Sequence, residues 1–208
     1  MNPKILHGNA YQLSRKIKDQ SVQLIYTDPP FGTTNNPWDT KLNLPWFWEF
    51  AARILTPTGV VVLHSSQQFS FQVVPSNPDW FRYSYTWIKS TATGHLNAKK
   101  QPLRRHEELL VFYPSGRGLY LPQMAPGEPY SALSGKTSSP NWNAFKPVLT
   151  VHNGNRYPTT VLEFPIDRPS LHPTQKPLAL AKQNEKAFAR IINQLEKRRK
   201  SQSPKRKQ

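Results

Sequence analysis

The chain has 208 residues, which suits one domain with a tail better than two domains. It carries 28 Lys and Arg against 12 Asp and Glu, a formal net charge of +16, and such a balance favours a polyanionic partner. Because the chain has no Cys, no metal-binding His spacing, no signal-peptide pattern and no apolar run near the roughly 20 residues of a membrane span, we expect a soluble intracellular protein without disulfides or a metal site.

The positive charge is concentrated at the C-terminal end. From Lys182 to Gln208 there are ten Lys or Arg against two Glu, a net charge of +8, and residues 1–181 carry the other +8. We predict that residues 197–208 form a disordered basic tail. Such a tail could hold DNA or simply be solvated.

The apolar pattern predicts strands that alternate with helices. Short apolar runs bounded by turn residues predict strands, and longer amphipathic runs predict helices. This alternation indicates an α/β fold with a mainly parallel sheet. In chain order we predict a strand at 5–7, a helix at 11–17, a strand at 22–27, a helix at 45–55, a turn at 56–59, strands at 60–64, 83–89 and 108–113, and a helix at 173–195.

A carboxylate, two prolines and an aromatic ring follow the strand predicted at 22–27. The strand delivers Asp28 to its C-terminal end, the edge at which ligands bind in open α/β sheets. Pro29 and Pro30 stiffen the backbone, and Phe31 can stack on a base. Asp28 and the Pro29 carbonyl can both accept hydrogen bonds from one nucleobase NH₂ group, provided that the base leaves the duplex. The alternative is an ordinary Pro-rich turn.

Three sequence blocks, in this order, resemble the N4/N6 DNA methyltransferase family. The catalytic loop comes before the H-P-T-Q-K-P block, which is the permuted order of the beta group. The resemblance covers about residues 5–181. The blocks are I-Y-T-D-P-P-F-G-T-T-N-N-P-W-D at 25–39, Y-T-W-I-K at 85–89 with R-R-H-E-E-L-L-V-F at 104–112, and H-P-T-Q-K-P-L-A-L at 172–180.

The resemblance implies a site-specific DNA methyltransferase that transfers a methyl group from S-adenosylmethionine to an exocyclic base amine. A leading Asp in the D-P-P motif is typical of adenine N6 enzymes, whereas Ser is more usual for cytosine N4. The family also implies double-stranded DNA as the partner, a seven-stranded Rossmann-like sheet, and a cytoplasmic protein of a prokaryote or phage, in some cases with a restriction partner. An RNA-directed enzyme of the same chemistry is the alternative.

The resemblance also assigns roles to single residues. Asp28 and Pro29 would hold the amine, Pro30 completes the motif, and Phe31 would stack on the base. Two alternatives stay open: the H-P-T-Q-K-P segment caps the next helix through Thr174 or Ser170, and the basic loop is merely solvated. The donor contacts would be Gly8, Asn9, Asp28, His172, Thr174, Gln175 and Lys176. The DNA contacts would be Lys89, Arg104, Arg105 and His106.

The predicted organisation has four parts. They are a catalytic α/β part at 1–114, a target-recognition region at 115–170, the H-P-T-Q-K-P segment with its helix at 171–196, and the tail at 197–208. The target-recognition region is rich in Pro, Ser, Gly and Asn and has weak periodicity. It is therefore either a small irregular lobe or a long functional loop.

One expected feature of the family is missing. After H-P-T-Q-K-P the family continues to a strand and a Gly-rich F-x-G-x-G loop that lets the backbone approach the donor, but the last glycine here is Gly154. We therefore expect an incomplete sheet with an exposed edge. Three explanations are open: a truncated or fused gene, a complementing chain that supplies the missing strands, or a DNA-binding remnant without catalysis. Asn9 also stands where the family often has Asp.

Overall fold

A computed structural model describes residues 5–114, 120–133, 147–172 and 174–187. These residues fall into two units. The first unit is built from the chain up to Leu121 and from Thr160 onward, and it contains the main sheet. The second unit comprises Pro122–Thr159 and contains a two-stranded sheet. The tail predicted at 197–208 lies outside the described residues.

Helices and strands alternate along the first unit. The predicted strand 22–27 is confirmed, and the helix predicted at 45–55 is displaced by one residue. Residues 178–187 are helical as well. In chain order the elements are α1 (Ala10–Leu13), β1 (Val22–Thr27), α2 (Leu44–Ile54), β2 (Leu55–Ser65), α3 (Gln67–Ser76), β3 (Phe81–Thr93), β4 (Arg104–Phe112), β5 (Tyr130–Leu133), β6 (Leu149–His152) and β7 (Val161–Glu163).

The helix α2 begins where the sequence supplies a cap. The Asn43 side chain accepts a hydrogen bond from the backbone N–H of Trp46 at 3.1 Å. Pro45 lies in the first turn, where a missing N–H costs no hydrogen bond. Phe47 and Ala51 follow at helical spacing and are buried. The helix α2 therefore packs into the core and anchors the end of the long loop that follows β1.

The main sheet has five strands in the order β1–β2–β4–β3–β7. β1 is parallel to β2, β4 is antiparallel to both β2 and β3, and β3 is parallel to β7. Four strands thus share one direction, and the predicted α/β fold with a mainly parallel sheet is confirmed. Among the described strands β1 pairs only with β2, so it is an edge strand, although its sequence V-Q-L-I-Y-T is typical of a sheet interior.

Two predicted elements at the start of the sheet were wrong. Residues 5–7 do not form a strand, and Ile5 is 90% exposed, because no described strand pairs with this segment. The turn predicted at 56–59 is part of β2. Leu55 already pairs with Val22, and the shift in register between β1 and β2 accommodates the extra residues as a bulge.

The helix α3 was not predicted from the sequence. It begins with polar residues and contains Pro75, so its local signal is weak. Phe69 and Val73 are nevertheless buried against the sheet and α2. Tertiary packing, rather than local propensity, therefore stabilises α3.

Apolar layers cover both faces of the sheet. Successive residues of β2 point to opposite faces. Val61 and Leu63 pack with residues of α2 and α3, whereas Val60 and Val62 pack in a second cluster with Leu180 of the last helix. The H-P-T-Q-K-P segment is thus attached to the sheet through the helix that follows it.

Leu180→Ala is expected to lower the free energy of unfolding by about 2–5 kcal/mol, because Leu180 is fully buried and the change leaves a cavity. Leu178→Ala on the same helix is the matched control, since Leu178 is 59% exposed and the expected change is within about 0.5 kcal/mol. Urea denaturation of both variants measures the difference. Equal losses would contradict the packing of this helix on the sheet.

Candidate active site

A cavity of about 510 Å³ opens at the C-terminal end of β1. The loop after β1 forms one side, and the ends of β3 and β4 and the H-P-T-Q-K-P segment form the others. The four residues Asp28, Pro29, Pro30 and Phe31 all line this cavity. Blocks that are far apart in the sequence therefore meet at one site.

A second aspartate holds the loop after β1. The Asp39 carboxylate accepts hydrogen bonds from three successive backbone N–H groups, those of Gly32, Thr33 and Thr34, at 2.8, 2.9 and 2.7 Å. Burial alone would raise the pKa of Asp39, which is 8% exposed, but hydrogen bonds from the Thr34 side chain and these N–H groups lower the pKa to about 2. Asp39 is therefore a carboxylate at neutral pH, and it fixes the backbone that follows Phe31.

The same turn requires a glycine at position 32. Gly32 has a φ of +66°, in the left-handed region that other residues rarely adopt. A Cβ on Gly32 would also lie 3.3 Å from the Lys41 Cα. The G in D-P-P-F-G thus lets three backbone N–H groups converge on Asp39.

Two carboxylates and two lysines form a cluster beside the cavity. The Lys176 Nζ lies 3.4 Å from Asp28 Oδ1 and 2.9 Å from Glu107 Oε2. The other oxygen of Glu107 lies 3.2 Å from the Lys89 Nζ. Asp28 has the most exposed side chain of the four, at 32%, so it is the carboxylate that a ligand in the cavity can reach.

The pKa values of the two carboxylates are shifted in opposite directions. Burial raises the pKa of Asp28 above its ordinary value, Lys176 partly offsets this, Glu107 adds to the rise and His172 opposes it. Burial would also raise the pKa of Glu107, but Lys176 and Lys89 outweigh it and lower that pKa. Glu107 is therefore a fixed negative charge, whereas the charged form of Asp28 depends on Lys176.

The ring of Phe31 is partly occupied by neighbours. It stacks on Phe69 of α3 with the ring centroids 4.9 Å apart and an angle of 22° between the planes. The Lys176 Nζ lies over the Phe31 ring, 5.7 Å from its centroid. Any base that stacks on Phe31 must therefore share the ring with these two side chains.

The H-P-T-Q-K-P segment lines the cavity through His172, Thr174, Gln175 and Lys176. The His172 Nδ1 accepts a hydrogen bond from the backbone N–H of Thr174 at 3.3 Å and lies 3.0 Å from the Thr174 hydroxyl. The imidazole packs edge-on against Trp38, with centroids 5.6 Å apart. These contacts join the segment to the loop that carries Asp28.

The helix after this segment is capped by a residue that the sequence did not indicate. Asp167 Oδ2 accepts a hydrogen bond from the backbone N–H of Leu178 at 2.9 Å. In the described structure neither Thr174 nor Ser170 makes this bond, so the predicted caps were wrong. The chain folds back before the helix, which brings a more distant carboxylate to its N-terminus.

The predicted DNA contacts separate into three groups. Arg104 and His106 line the cavity. Lys89 also lines it, but the residue is buried and its ammonium is bound to Glu107. Arg105 does not line the cavity, and its Nε donates a hydrogen bond to the Lys89 carbonyl at 3.1 Å. Arg104 and His106 are therefore the better placed of the four to meet a phosphate.

Gly8 and Asn9, the predicted donor contacts near the N-terminus, do not line the cavity. The Asn9 side chain accepts a hydrogen bond from the backbone N–H of Tyr11 at 2.8 Å and so caps α1. Gly8 has a φ of +147°, which suits a glycine. A donor role for these two residues stays a prediction.

A half-buried tyrosine and a buried histidine form a polar pair at the ends of the parallel strands β1 and β2. The Tyr26 hydroxyl lies 2.6 Å from the His64 Nε2. Burial, aided by the charge of Lys176 and opposed by Glu107, lowers the pKa of His64 to about 3. Burial and the nearby Asp28 raise the pKa of Tyr26. Both side chains are therefore uncharged at neutral pH, and neither lines the cavity.

Sequence reasoning missed the roles of Asp39 and Glu107. Both residues lie inside the blocks that carry the resemblance, so their positions could have marked them as candidates. Their partners, however, depend on loop geometry and strand register, which the sequence does not indicate. Glu107 faces Lys89 only because Trp87 pairs with Glu107 in the β3–β4 ladder.

Two further observations concern the part of the chain that the structure describes. It contains no group of three or more His, Cys, Asp or Glu side chains arranged to hold a metal ion. It also contains no helix long and apolar enough to cross a membrane.

Comparison with known families identifies the class. The model of a DNA methylase family matches residues 22–188, and the chain belongs to this family. Two solved structures share the fold. The complex of M1.HpyAVI with SAM is 16% identical, with a TM-score of 0.52 over 88% of this chain and 76% of that one. The cytosine-N4-specific PvuII DNA methyltransferase is 14% identical, with a TM-score of 0.59 over 87% and 68%. The predicted Rossmann-like α/β sheet is thus confirmed.

Two curated relatives are similar in sequence. The DNA adenine methyltransferase YhdJ of Escherichia coli (strain K12) is 25% identical in an alignment 199 positions long that covers 86% of this chain and 64% of the relative. The type II methyltransferase M.HpaI of Haemophilus parainfluenzae is 25% identical in an alignment 195 positions long that covers 86% of this chain and 58% of the relative. The chain therefore spans less than two thirds of the length of these relatives.

Proposed function

We propose that this chain forms the amine-binding part of a DNA methyltransferase that acts on an exocyclic base amine, with adenine N6 as the first candidate and cytosine N4 as the second. The observation that carries the proposal is the position of Asp28. Its carboxylate lies at the end of a parallel strand, faces a cavity of about 510 Å³, and shares that cavity with Pro29 and Phe31. The leading Asp of the motif favours adenine.

The chemistry follows from the groups at this site. A flipped base stacked on Phe31 would present its NH₂ group to the Asp28 carboxylate and the Pro29 carbonyl. Two hydrogen bonds from the amine would pull its nitrogen toward a tetrahedral geometry and free its lone pair. The negative charge of Asp28 would also stabilise the positive charge that grows on the nitrogen during transfer.

S-adenosylmethionine would supply the methyl group. Polar side chains that could hold it line the same cavity as Asp28, namely His172, Thr174 and Gln175. These residues fit the part of the donor that reaches the amine. Gly8 and Asn9 are further candidates for donor contacts.

The rest of the donor site would come from a further segment of the protein or from a complementing chain. Two observations support this. The last glycine is Gly154, so the Gly-rich loop expected after the H-P-T-Q-K-P block is not in this sequence. Among the described strands β1 lies at the edge of the sheet although its sequence is of an interior type, and it would accept one more parallel strand.

Double-stranded DNA is the proposed partner, met in the cytoplasm of a prokaryote or of a phage-infected cell. Arg104 and His106 would contact phosphates near the cavity. Residues 115–170 are the proposed target-recognition region. Within it, Tyr130 stacks on His152 with centroids 5.4 Å apart, and the Arg156 guanidinium lies 4.9 Å from the Tyr130 centroid. In this stack Tyr130 is exposed, whereas His152 and Arg156 are half-buried, and such an aromatic and basic pair of surfaces suits contact with nucleic acid.

The direct test is to incubate the protein, together with the segment or chain that completes its donor site, with S-adenosylmethionine and unmethylated duplex DNA and to digest the product for mass spectrometry. N6-methyladenine supports the first candidate and N4-methylcytosine the second. The same assay with structured RNA separates a DNA enzyme from an RNA-directed one. Modified bases in RNA alone would contradict the proposal.

A non-catalytic DNA-binding protein is the second candidate function, because a strongly basic chain favours a polyanionic partner with or without catalysis. Both candidates predict DNA affinity that falls steeply with salt, because the chain carries a net charge of +16. They differ in Asp28, which matters for methylation only in the first. Filter binding at several salt concentrations, with the wild type and Asp28→Ala, measures the DNA affinity that both candidates predict. Methylation that is present in the wild type and lost in Asp28→Ala supports the first candidate, and its absence from both supports the second.

A further inference from the structure

Lys176 lies where two features of the candidate site converge. Its ammonium is 3.4 Å from Asp28 Oδ1, and it lies over the Phe31 ring, 5.7 Å from the centroid. The Lys176 side chain is largely buried and also reaches Glu107 Oε2 at 2.9 Å. The ammonium thus uses the carboxylate and the aromatic ring that a base amine would need.

An ammonium and a nucleobase NH₂ group can make the same two kinds of contact. Both donate N–H bonds to a carboxylate, and both are attracted to the face of an aromatic ring. We propose that Lys176 is a positioning residue that occupies the amine-acceptor position of Asp28 in the free protein and withdraws to Glu107 when a base enters. This inference rests on the proposed function.

When Lys176 leaves Asp28, its ammonium still has a carboxylate partner. Glu107 is held by Lys89 through its other oxygen, at 3.2 Å, so it remains a charged partner for Lys176 after Asp28 is released. Two lysines and two carboxylates balance each other, and the entry of a neutral amine leaves that balance unchanged. The buried Pro177, directly after Lys176, stiffens the backbone from which the Lys176 side chain extends.

Lys176 also affects the charge of Asp28. The charged or titratable groups that act on Asp28 are Lys176, Glu107 and His172, and Asp28 in turn raises the pKa of the neighbouring Tyr26. Burial and Glu107 favour the neutral acid, whereas Lys176 and His172 favour the carboxylate. Lys176 therefore keeps Asp28 ready to accept a hydrogen bond, and at the same time covers it.

A titration of the full chain tests whether Lys176 contacts Asp28 in the free protein. The carboxyl carbon of Asp28, assigned by its loss in Asp28→Asn, is followed by ¹³C NMR against pH. Lys176→Gln should raise the pKa of Asp28, Lys176→Arg should restore it, and Lys89→Gln should change it less than Lys176→Gln. The inference is overturned if Lys176→Gln leaves the titration where it is in the wild type.

Binding of adenosine, used as the probe, tests whether Lys176 must leave Asp28 when a base enters. Above the pH at which Asp28 ionises, Lys176→Gln should bind adenosine about two- to fivefold more tightly, the range that release of a partly exposed ion pair allows. The acid limit of binding should move to higher pH in the same variant. A merely structural role for Lys176 would weaken binding at every pH, and that result would refute the inference.

Two variants separate this inference from the proposed function. If Asp28→Asn binds adenosine as well as the wild type does, the proposed amine site is wrong. If Asp28→Asn binds weakly while Lys176→Gln matches the wild type at every pH, the amine site stands and only the role of Lys176 is refuted. Thermal unfolding of each variant verifies that it is folded before either conclusion is drawn.

Discussion

Asp28→Asn is expected to lower the rate of methyl transfer by about 10²–10³-fold, the cost typical of removing one preorganised polar group from a site of developing charge. The Asn side chain has the same shape but no negative charge, and only one of its two polar atoms accepts hydrogen bonds. Because the Asp28 side chain is 32% exposed and, within the described part of the chain, is bound by Lys176 alone, the fold should tolerate the change. Rates are measured with radiolabelled S-adenosylmethionine under conditions in which the wild type is active.

The control for this prediction is Asp79→Asn. Asp79 is exposed and lies outside the cavity, so its loss alters the net charge by the same amount without touching the site. The Asp79 variant should keep the wild-type rate and both variants should keep the wild-type DNA affinity. An Asp28 variant with an unchanged rate would contradict the role proposed for the Asp28 carboxylate. A wild type that transfers no methyl group even with a complete donor site would favour the non-catalytic alternative.

The sequence predicts most of the sheet, because its strands carry their own signal. The run 22–27 is a strand in the structure, and 60–64 lies inside β2. The failures occur where tertiary contacts decide. Residues 5–7 are apolar but have no partner strand among those described, and α3 forms despite Pro75 because its apolar side chains are buried.

The motifs of the candidate site could be predicted from the sequence, but the ion pairs between their side chains could not. The D-P-P-F motif and the H-P-T-Q-K-P block were each found in the sequence, and both line one cavity. Lys89 and Lys176 were assigned to DNA and to the donor on the basis of the resemblance. In the structure both ammonium groups bind Glu107. That arrangement depends on the β3–β4 register and on the path of the chain before the last helix, and neither has a local sequence signal.

Asp39→Asn should destabilise the protein by about 2 kcal/mol at neutral pH, because the pKa of Asp39 falls from an ordinary value of 3.8 to about 2 on folding. A carboxylate whose pKa is lowered by folding stabilises the fold above its unfolded pKa. That contribution is lost as the pH falls from about 4 toward 2. The difference in unfolding free energy between wild type and variant should therefore be constant above about pH 5 and shrink in acid, as followed by urea denaturation.

The same variant should also slow methyl transfer, by up to about 10²-fold, because a catalytic group displaced by about 1 Å can cost that much. Asp39 does not need to touch the base for this effect. It holds three backbone N–H groups directly after Phe31, so its loss loosens the loop that aims Asp28 and Phe31. Asp19→Asn is the matched control, since Asp19 is exposed and pairs with Arg53 at the surface, where an ion pair contributes at most about 1 kcal/mol. Unfolding of Asp39→Asn at the same urea concentration as the wild type at pH 7 would show that the carboxylate does not hold the loop. The orientation of Asp28 would then depend on the two prolines alone.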